Sequence, residues 1–153
     1  MKEAFTRKSL LILGRGIGQV MFQNNALSGL LMLIGIFLNS WQMGLLAVSG
    51  NIISTSTGRI SGYDRDDIKN GLYGFNGTLV GIAVGVFMHL TVNSLILMAI
   101  ASCASTYIAR FFNMQRMLPG FTTLFILSVW MLLGLCSWLM PDMLLVSDTE
   151  TPI

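Results

Sequence analysis

Charged side chains are scarce in this sequence, and their scarcity excludes most soluble architectures. Only 10% of the 153 residues are Asp, Glu, Lys or Arg, whereas 54% are hydrophobic. Soluble domains average about 25% charged residues. The apolar runs are also continuous, whereas the strands of membrane barrels alternate apolar and polar residues. The composition therefore predicts an all-α integral membrane protein.

Groups that commonly carry catalysis or bind metals are also rare. The sequence has one histidine, His89, and two cysteines, Cys103 and Cys136, which both fall inside apolar runs. Without a CxxC motif or a Cys/His cluster, a disulfide or a metal site has little support. No basic run suggests a nucleic-acid partner, and no catalytic constellation is visible. We therefore expect no enzyme activity, no cofactor and no metal.

Acidic and histidine side chains are absent from the middle of every apolar run. Proton and ion relays through membranes normally need such groups. Their absence argues against an ion-coupled pump. It favours a passive path for a neutral solute, or no path at all.

Apolar runs of membrane-spanning length occur five times. A membrane helix needs about 20 apolar residues, with a range of roughly 17 to 25. A sixth run, 7–23, is shorter and contains Gly14, Gly16 and Gly18, which we expect to break it. A tight turn is predicted near Ser40, between the first two spans. The five predicted spans are residues 25–41, 42–58, 72–89, 91–111 and 119–140.

Lys and Arg positions distinguish two topologies for segment 7–23. If the segment dips into the membrane and returns, five crossings result, and every Lys and Arg lies on one side or, for Arg15, in the dipping segment. The positive-inside rule favours this model over six crossings. An interfacial amphipathic helix remains the alternative for the segment. We predict three parts: residues 1–24, a cytoplasmic N-terminus and re-entrant segment; 25–141, a five-span membrane domain; and 142–153, a polar tail outside.

Glycines recur at every fourth position in the third span, at Gly77, Gly81 and Gly85. Small residues at this spacing give a membrane helix a flat groove, in which another backbone can pack closely. We therefore expect a close helix–helix contact along this face.

Uncharged polar groups remain as candidates for a site at membrane depth. In hydrocarbon each polar group needs a hydrogen-bond partner. The ordinary explanation for such a group within a membrane is a hydrogen bond to a neighbouring helix. Gln19 and Asn76, however, stand beside Phe22 and Phe75, at expected chain breaks. Oxygen acceptors next to aromatic faces suit a flat, neutral molecule with N–H donors. The full set is Gln19, Gln23, Asn24, Asn25, Asn76, Thr78, Thr122 and Thr123.

Three motifs together resemble one family, the urea transporters. They are Gly-Gln-Val-x-Phe-Gln-Asn-Asn at 18–25 with Leu-Ser-Gly at 27–29, Gly-Leu-Tyr-Gly-Phe-Asn-Gly-x-Leu-Val-Gly at 71–81, and Leu-Pro-x-x-Thr at 118–122. The resemblance implies two homologous halves in inverted orientation. Each half would have five transmembrane helices and one re-entrant pore helix, with the conduction path between the halves. This chain would then be equivalent to one inverted repeat.

The resemblance also implies a function and site residues. Urea would cross the cell membrane by channel-like facilitated diffusion, in single file through a slot. Gln19, Val20 and Phe22 would line this half of the slot, Phe75 and Leu79 would form apolar walls, and Thr122 would place a hydroxyl at the constriction. One departure concerns the last motif: Leu124 stands where the family has a second proline. Proline removes a backbone N–H, so carbonyls beside Thr122 could stay within helical hydrogen bonds here.

The chain has about half the length of a family member, so we expect it to need a second half-transporter in the lipid bilayer. The family's trimeric state makes a homo-oligomer a further expectation. The Lys/Arg asymmetry disfavours a symmetric antiparallel homodimer, because one copy would be inserted against the positive-inside rule. Other functions stay open: a non-conducting membrane assembly subunit, an inactive truncated half, or a channel for ammonia, water or short amides.

Overall fold

Regular structure in this protein is helical. The computed structural model describes the backbone of residues 2–115 and 123–145, and side chains within 6–111 and 126–145. Within these ranges the elements are helices, together with one isolated antiparallel bridge between Met88 and Leu144. The prediction of an all-α fold is therefore confirmed. In chain order the α-helices are α1 (Lys2–Gly18), α2 (Ala26–Asn39), α3 (Trp41–Ile60), α4 (Arg65–Lys69), α5 (Leu72–Phe87), α6 (Val92–Gln115) and α7 (Thr123–Leu139), with 3-10 turns at Gln19–Met21 and Pro141–Met143.

Predicted spans coincide with long helices. Residues 25–41, 42–58, 72–89 and 91–111 correspond to α2, α3, α5 and α6, and the described part of 119–140 corresponds to α7. The tight turn at Ser40 is confirmed, because this one residue separates α2 from α3. Its backbone N–H donates to the Ile36 carbonyl at 2.8 Å, and its hydroxyl accepts from the Met43 N–H at 3.3 Å. Ser40 thus caps both helices.

The expectation that glycines break segment 7–23 was wrong in part. Helix α1 continues through Gly14 and Gly16 and ends at Gly18. Both interior glycines lie where the helix touches its neighbours. A Cβ on Gly14 would lie 3.0 Å from the Ala26 Cβ, and one on Gly16 would lie 2.8 Å from the Asn51 Nδ2. Their low helix propensity, about 1 kcal/mol each, is offset by this close packing.

A sharp bend follows α1. The helical stretch Thr6–Met21 meets Ala26–Asn39 at 75°. By length and composition, Val92–Phe111 could cross a membrane as a single helix, and the bent pair adds a second candidate if it counts as one span. Leu72–Phe87 and Ile126–Leu139 are shorter apolar helices. The five-span count therefore stays a prediction.

Helices α3 and α5 form the most extensive contact between described helices. Gly50 and Gly77 face each other so closely that a Cβ on either would collide with the carbonyl oxygen of the other. One turn further, a Cβ on Gly81 would collide with the Leu46 carbonyl. The predicted glycine groove is confirmed at Gly77 and Gly81. At Gly85 the nearest atom belongs to the Leu46 side chain, at 3.2 Å, so the helices diverge there.

The apolar core extends from this contact toward α6 and α7. Val80 and Val84 of α5, Met98 of α6 and Cys136 of α7 are buried together. Their burial fixes α5 from both sides, with α3 on its glycine face and α6 and α7 beyond. The helix that carries Phe75 and Leu79 is thus a rigid support.

Candidate functional site

Two of the three motifs meet in the folded chain. Gln19 and Val20 lie in the 3-10 turn Gln19–Met21, and Phe22 follows it directly. This turn contacts α5, the helix that carries Phe75 and Leu79. Residues far apart in sequence are therefore neighbours here. Thr122 lies outside the described residues.

The chain bend at Phe22 is held by short-range hydrogen bonds. Phe22 has φ 56° and ψ 25°, a left-handed conformation that is uncommon for residues other than glycine. Its N–H donates to the Gln19 carbonyl at 2.8 Å, and the Gln23 N–H donates to the Gly18 carbonyl at 3.1 Å. Asn25 then starts α2, because its Oδ1 accepts from the Leu27 N–H at 2.9 Å. The expected chain break beside Gln19 is confirmed.

Side-chain hydrogen bonds fasten this bend to the segment before α5. The Gln19 Nε2 donates to the Asn70 carbonyl at 3.1 Å, and the Asn24 Nδ2 donates to the Asn70 Oδ1 at 3.1 Å. Arg15 donates from Nη1 to the Lys69 carbonyl at 3.2 Å. Because the Gln19 amide nitrogen donates to the protein, its Oε1 is the end of the amide that can accept from a solute.

Gly71 completes the junction between the bend and α5. Its φ of 76° lies in the left-handed region, and a Cβ there would collide with the backbone of Gly16. Glycine is required for both reasons. The chain can therefore enter α5 directly against the end of α1.

The loop that supplies Asn70 is itself ordered by charge and capping. Asp64 caps α4 by accepting from the N–H groups of Asp66 at 2.7 Å and Asp67 at 3.3 Å. The Lys69 ammonium lies 2.8 Å from the Asp66 carboxylate. Its hydrogen bond and its charge lower the pKa of Asp66 below its usual 3.8.

Exposure differs among the predicted slot residues. Gln19, Val20 and Leu79 are half-buried, and the Phe22 side chain is 66% exposed. Phe75 is only 4% exposed, so its ring is enclosed by its neighbours. The side chains of Phe22 and Leu79 are thus accessible from outside the chain, whereas Phe75 packs inside the fold.

Asn76 does not stand at a chain break, and that expectation was wrong. It lies within α5 and is 1% exposed. Its Nδ2 donates to the Leu72 carbonyl at 3.4 Å, and its Oδ1 has no hydrogen-bond partner among the described residues. The nearby Thr78 is paired by hydrogen bonds within the protein. Its hydroxyl donates to the Gly74 carbonyl of α5 at 2.9 Å and accepts from the Asn51 Nδ2 of α3 at 3.0 Å.

One buried polar residue near the site, Asn51, was not among the candidates predicted from the sequence. Asn51 of α3 is fully buried. Its Nδ2 donates to the Leu13 carbonyl of α1 at 3.1 Å and to the Thr78 hydroxyl at 3.0 Å, and its Oδ1 accepts from the Thr55 hydroxyl at 3.2 Å. The sequence does contain an indication of this polar cluster, because Asn51 and Thr55 are four residues apart and so share one helix face.

A groove opens beside Asn51, between α1, α2 and α3. Its volume is about 510 Å³, and apart from Arg7 and Asn51 its lining is apolar. Leu10, Leu27 and Leu30 on its walls are 63%, 62% and 51% exposed. Elsewhere in the described chain, no three His, Cys, Asp or Glu side chains converge as metal ligands. The bend and the groove thus combine amide groups and the two guanidinium groups of Arg7 and Arg15 with apolar walls.

Comparisons with known proteins agree with this chemistry. The family model described as "Urea transporter" matches residues 10–148. Among curated proteins, Urea transporter 1 of Mus musculus is 41% identical over 75 residues, which are 49% of this chain and 20% of that protein. Urea transporter 1 of Rattus norvegicus is 42% identical over 73 residues, 48% of this chain and 19% of that protein. The matched segment spans about a fifth of the length of these relatives.

Proposed function

Because the chain belongs to the urea transporter family, we propose that it forms one wall of a narrow slot through which urea crosses a membrane by channel-like facilitated diffusion. One observation carries this proposal: the turn with Gln19 and Phe22 is docked against the α5 helix with Leu79. An amide oxygen and an aromatic face therefore lie beside the start of the helix that carries the aliphatic Leu79 further along.

This arrangement suits urea in physical terms. Urea is planar and uncharged, and its N–H groups lose water hydrogen bonds when they enter a slot. The Gln19 oxygen can replace some of those bonds, whereas the faces of Phe22 and Leu79 offer only apolar contact. A pore conducts quickly when such binding is strong enough to admit the solute but too weak to hold it. An ion would lose far more hydration energy against neutral groups.

The wall requires a counterpart on its open side. Phe22 is 66% exposed, and three leucines of the groove between α1, α2 and α3 are more than half exposed: Leu10, Leu27 and Leu30. We infer that an inverted homologous half covers this side, since inverted repeats that meet at the membrane midplane are a known transporter plan. Phe75 is enclosed within the fold and would hold the wall in place from there, and we propose that Thr122 adds a hydroxyl at the constriction.

The topology belongs to the same proposal. Arg15, Gln19 and Asn24 fasten the end of α1 to residues 69–70. This contact places the end of α1 on the side of the Lys/Arg-rich loop, and we propose that α1 is re-entrant. With five crossings the N-terminus is cytoplasmic and residues 142–153 lie outside.

Urea flux across native membranes tests the proposal with the natural partner present. Vesicles from cells that carry the gene and from a deletion strain are compared by stopped-flow light scattering with urea, water and ammonia gradients. We expect deletion to lower urea permeability alone, and a protonophore or removal of Na⁺ to leave the flux unchanged. Equal urea permeability in both strains would contradict urea conduction and favour an assembly subunit. Loss of water or ammonia flux instead would identify another solute.

A further inference from the structure

Asn51 joins the three helices that build the proposed wall. One amide group binds the α1 backbone at Leu13, the α5 hydroxyl of Thr78 and the α3 hydroxyl of Thr55. The side chain is fully buried, so water does not compete for these bonds. Each hydrogen bond between helices in a membrane protein shifts an equilibrium by roughly 3- to 18-fold.

Glycines on both neighbouring helices make room for this amide. A Cβ on Gly16 of α1 would lie 2.8 Å from the Asn51 Nδ2. A Cβ on Gly74 of α5 would collide with the Asn51 Oδ1 and lie 2.8 Å from the Thr55 hydroxyl oxygen. The side chain is thus enclosed from two sides, and it fixes the separation of α1 and α5 by contact as well as by hydrogen bonds.

The Asn51 junction links two elements that carry proposed slot residues. Leu13 is in α1, the helix that leads into the turn with Gln19, and Thr78 of α5 directly precedes Leu79. A shift of α1 relative to α5 would therefore move the Gln19–Phe22 part of the wall relative to the Leu79 part.

We propose that Asn51 is a positioning residue that holds α1, and with it the Gln19–Phe22 turn, in place against α5, and so fixes the shape of the wall that the passing amide meets. The proposal rests on the proposed function. According to this proposal, Asn51 lies outside the slot and yet controls selectivity between urea and a bulkier amide such as methylurea.

Asn51→Leu tests this role, because leucine is similar in size and removes both the donor and the acceptor. Ser54→Ala is the matched control: Ser54 is also buried on α3, but its hydroxyl donates to the Ser102 carbonyl of α6 at 2.8 Å and does not bind α1. The first readout is hydrogen–deuterium exchange of the purified chain in detergent. The amides of Phe22 and Gln23, which close the bend, are expected to exchange roughly 3- to 18-fold faster in Asn51→Leu, the range that one such hydrogen bond is worth.

The second readout is the ratio of methylurea to urea permeability in vesicles from the deletion strain complemented with each variant. We expect Asn51→Leu to raise this ratio about 3- to 18-fold and Ser54→Ala to leave it unchanged. Unaltered exchange at Phe22 and Gln23, or equal changes in both variants, would overturn the positioning role. If vesicles with the unmodified chain conduct no urea, the proposed function fails, and the exchange measurement still decides whether Asn51 positions α1.

Discussion

Gly77→Ala is expected to weaken the fold strongly, because it adds a methyl group at the closest contact between α3 and α5. The new Cβ would collide with the Gly50 carbonyl oxygen and with the Ser54 hydroxyl oxygen. Because the first obstacle is backbone, it can move only if α3 and α5 separate. Overpacking of this kind destabilises by about 1–3 kcal/mol. Unfolding in mixed detergent micelles, followed by tryptophan fluorescence and helix content, would measure the loss.

Gly134→Ala provides the control for this prediction. Gly134 lies within α7, and a Cβ there would meet nothing within 4 Å. Alanine also has the higher helix propensity, by about 1 kcal/mol, so this variant should be as stable as the unmodified chain or more so. Equal stability of Gly77→Ala and Gly134→Ala would show that the α3–α5 contact is not as close as described.

Gln19→Ala is expected to reduce urea permeability roughly tenfold, which corresponds to the loss of about one hydrogen bond. The substitution removes the Oε1 acceptor from the slot wall. It also removes the donor that binds the Asn70 carbonyl at 3.1 Å, so the turn is held less firmly against α5. Urea flux in complemented deletion-strain vesicles is the measurement, normalised to the amount of protein in the membrane.

Gln42→Ala is the matched control, because Gln42 is exposed at the start of α3, far in sequence from the turn. It should conduct urea like the unmodified chain. If both glutamine variants conduct equally well, Gln19 does not line the path. If both lose flux in parallel, the loss reflects expression or insertion and the assignment of Gln19 to the slot fails.

Helix positions and the closest helix contact were predictable from the sequence. Apolar length marked the spans, because a membrane helix has to bury its backbone over a fixed distance. The spacing of Gly77 and Gly81 marked the face of α5 that meets α3. Apolar length and glycine spacing are properties of a single helix, so they can be recognised without knowing which helix packs against it.

Other features depended on contacts between distant segments and were missed. Gly14 and Gly16 were expected to break α1, yet they accommodate Ala26 and Asn51. A glycine alone does not tell whether the chain bends or a neighbour approaches. The role of Asn51 likewise depends on its position relative to α1 and α5, which periodicity within α3 does not give. Asn76 was expected at a chain break, but it lies within α5, where the neighbouring Gly77 packs against α3.

The sidedness of three positions tests the re-entrant α1 and the five crossings most directly. Single cysteines are introduced at Lys2, Asp66 and Ile153 after Cys103 and Cys136 have been replaced. A membrane-impermeant thiol reagent is then applied to right-side-out and inside-out vesicles. We predict that positions 2 and 66 react from the cytoplasmic side and position 153 from the opposite side. Labelling of positions 2 and 153 from the same side would contradict an odd number of crossings, and with it a wall that an inverted counterpart completes.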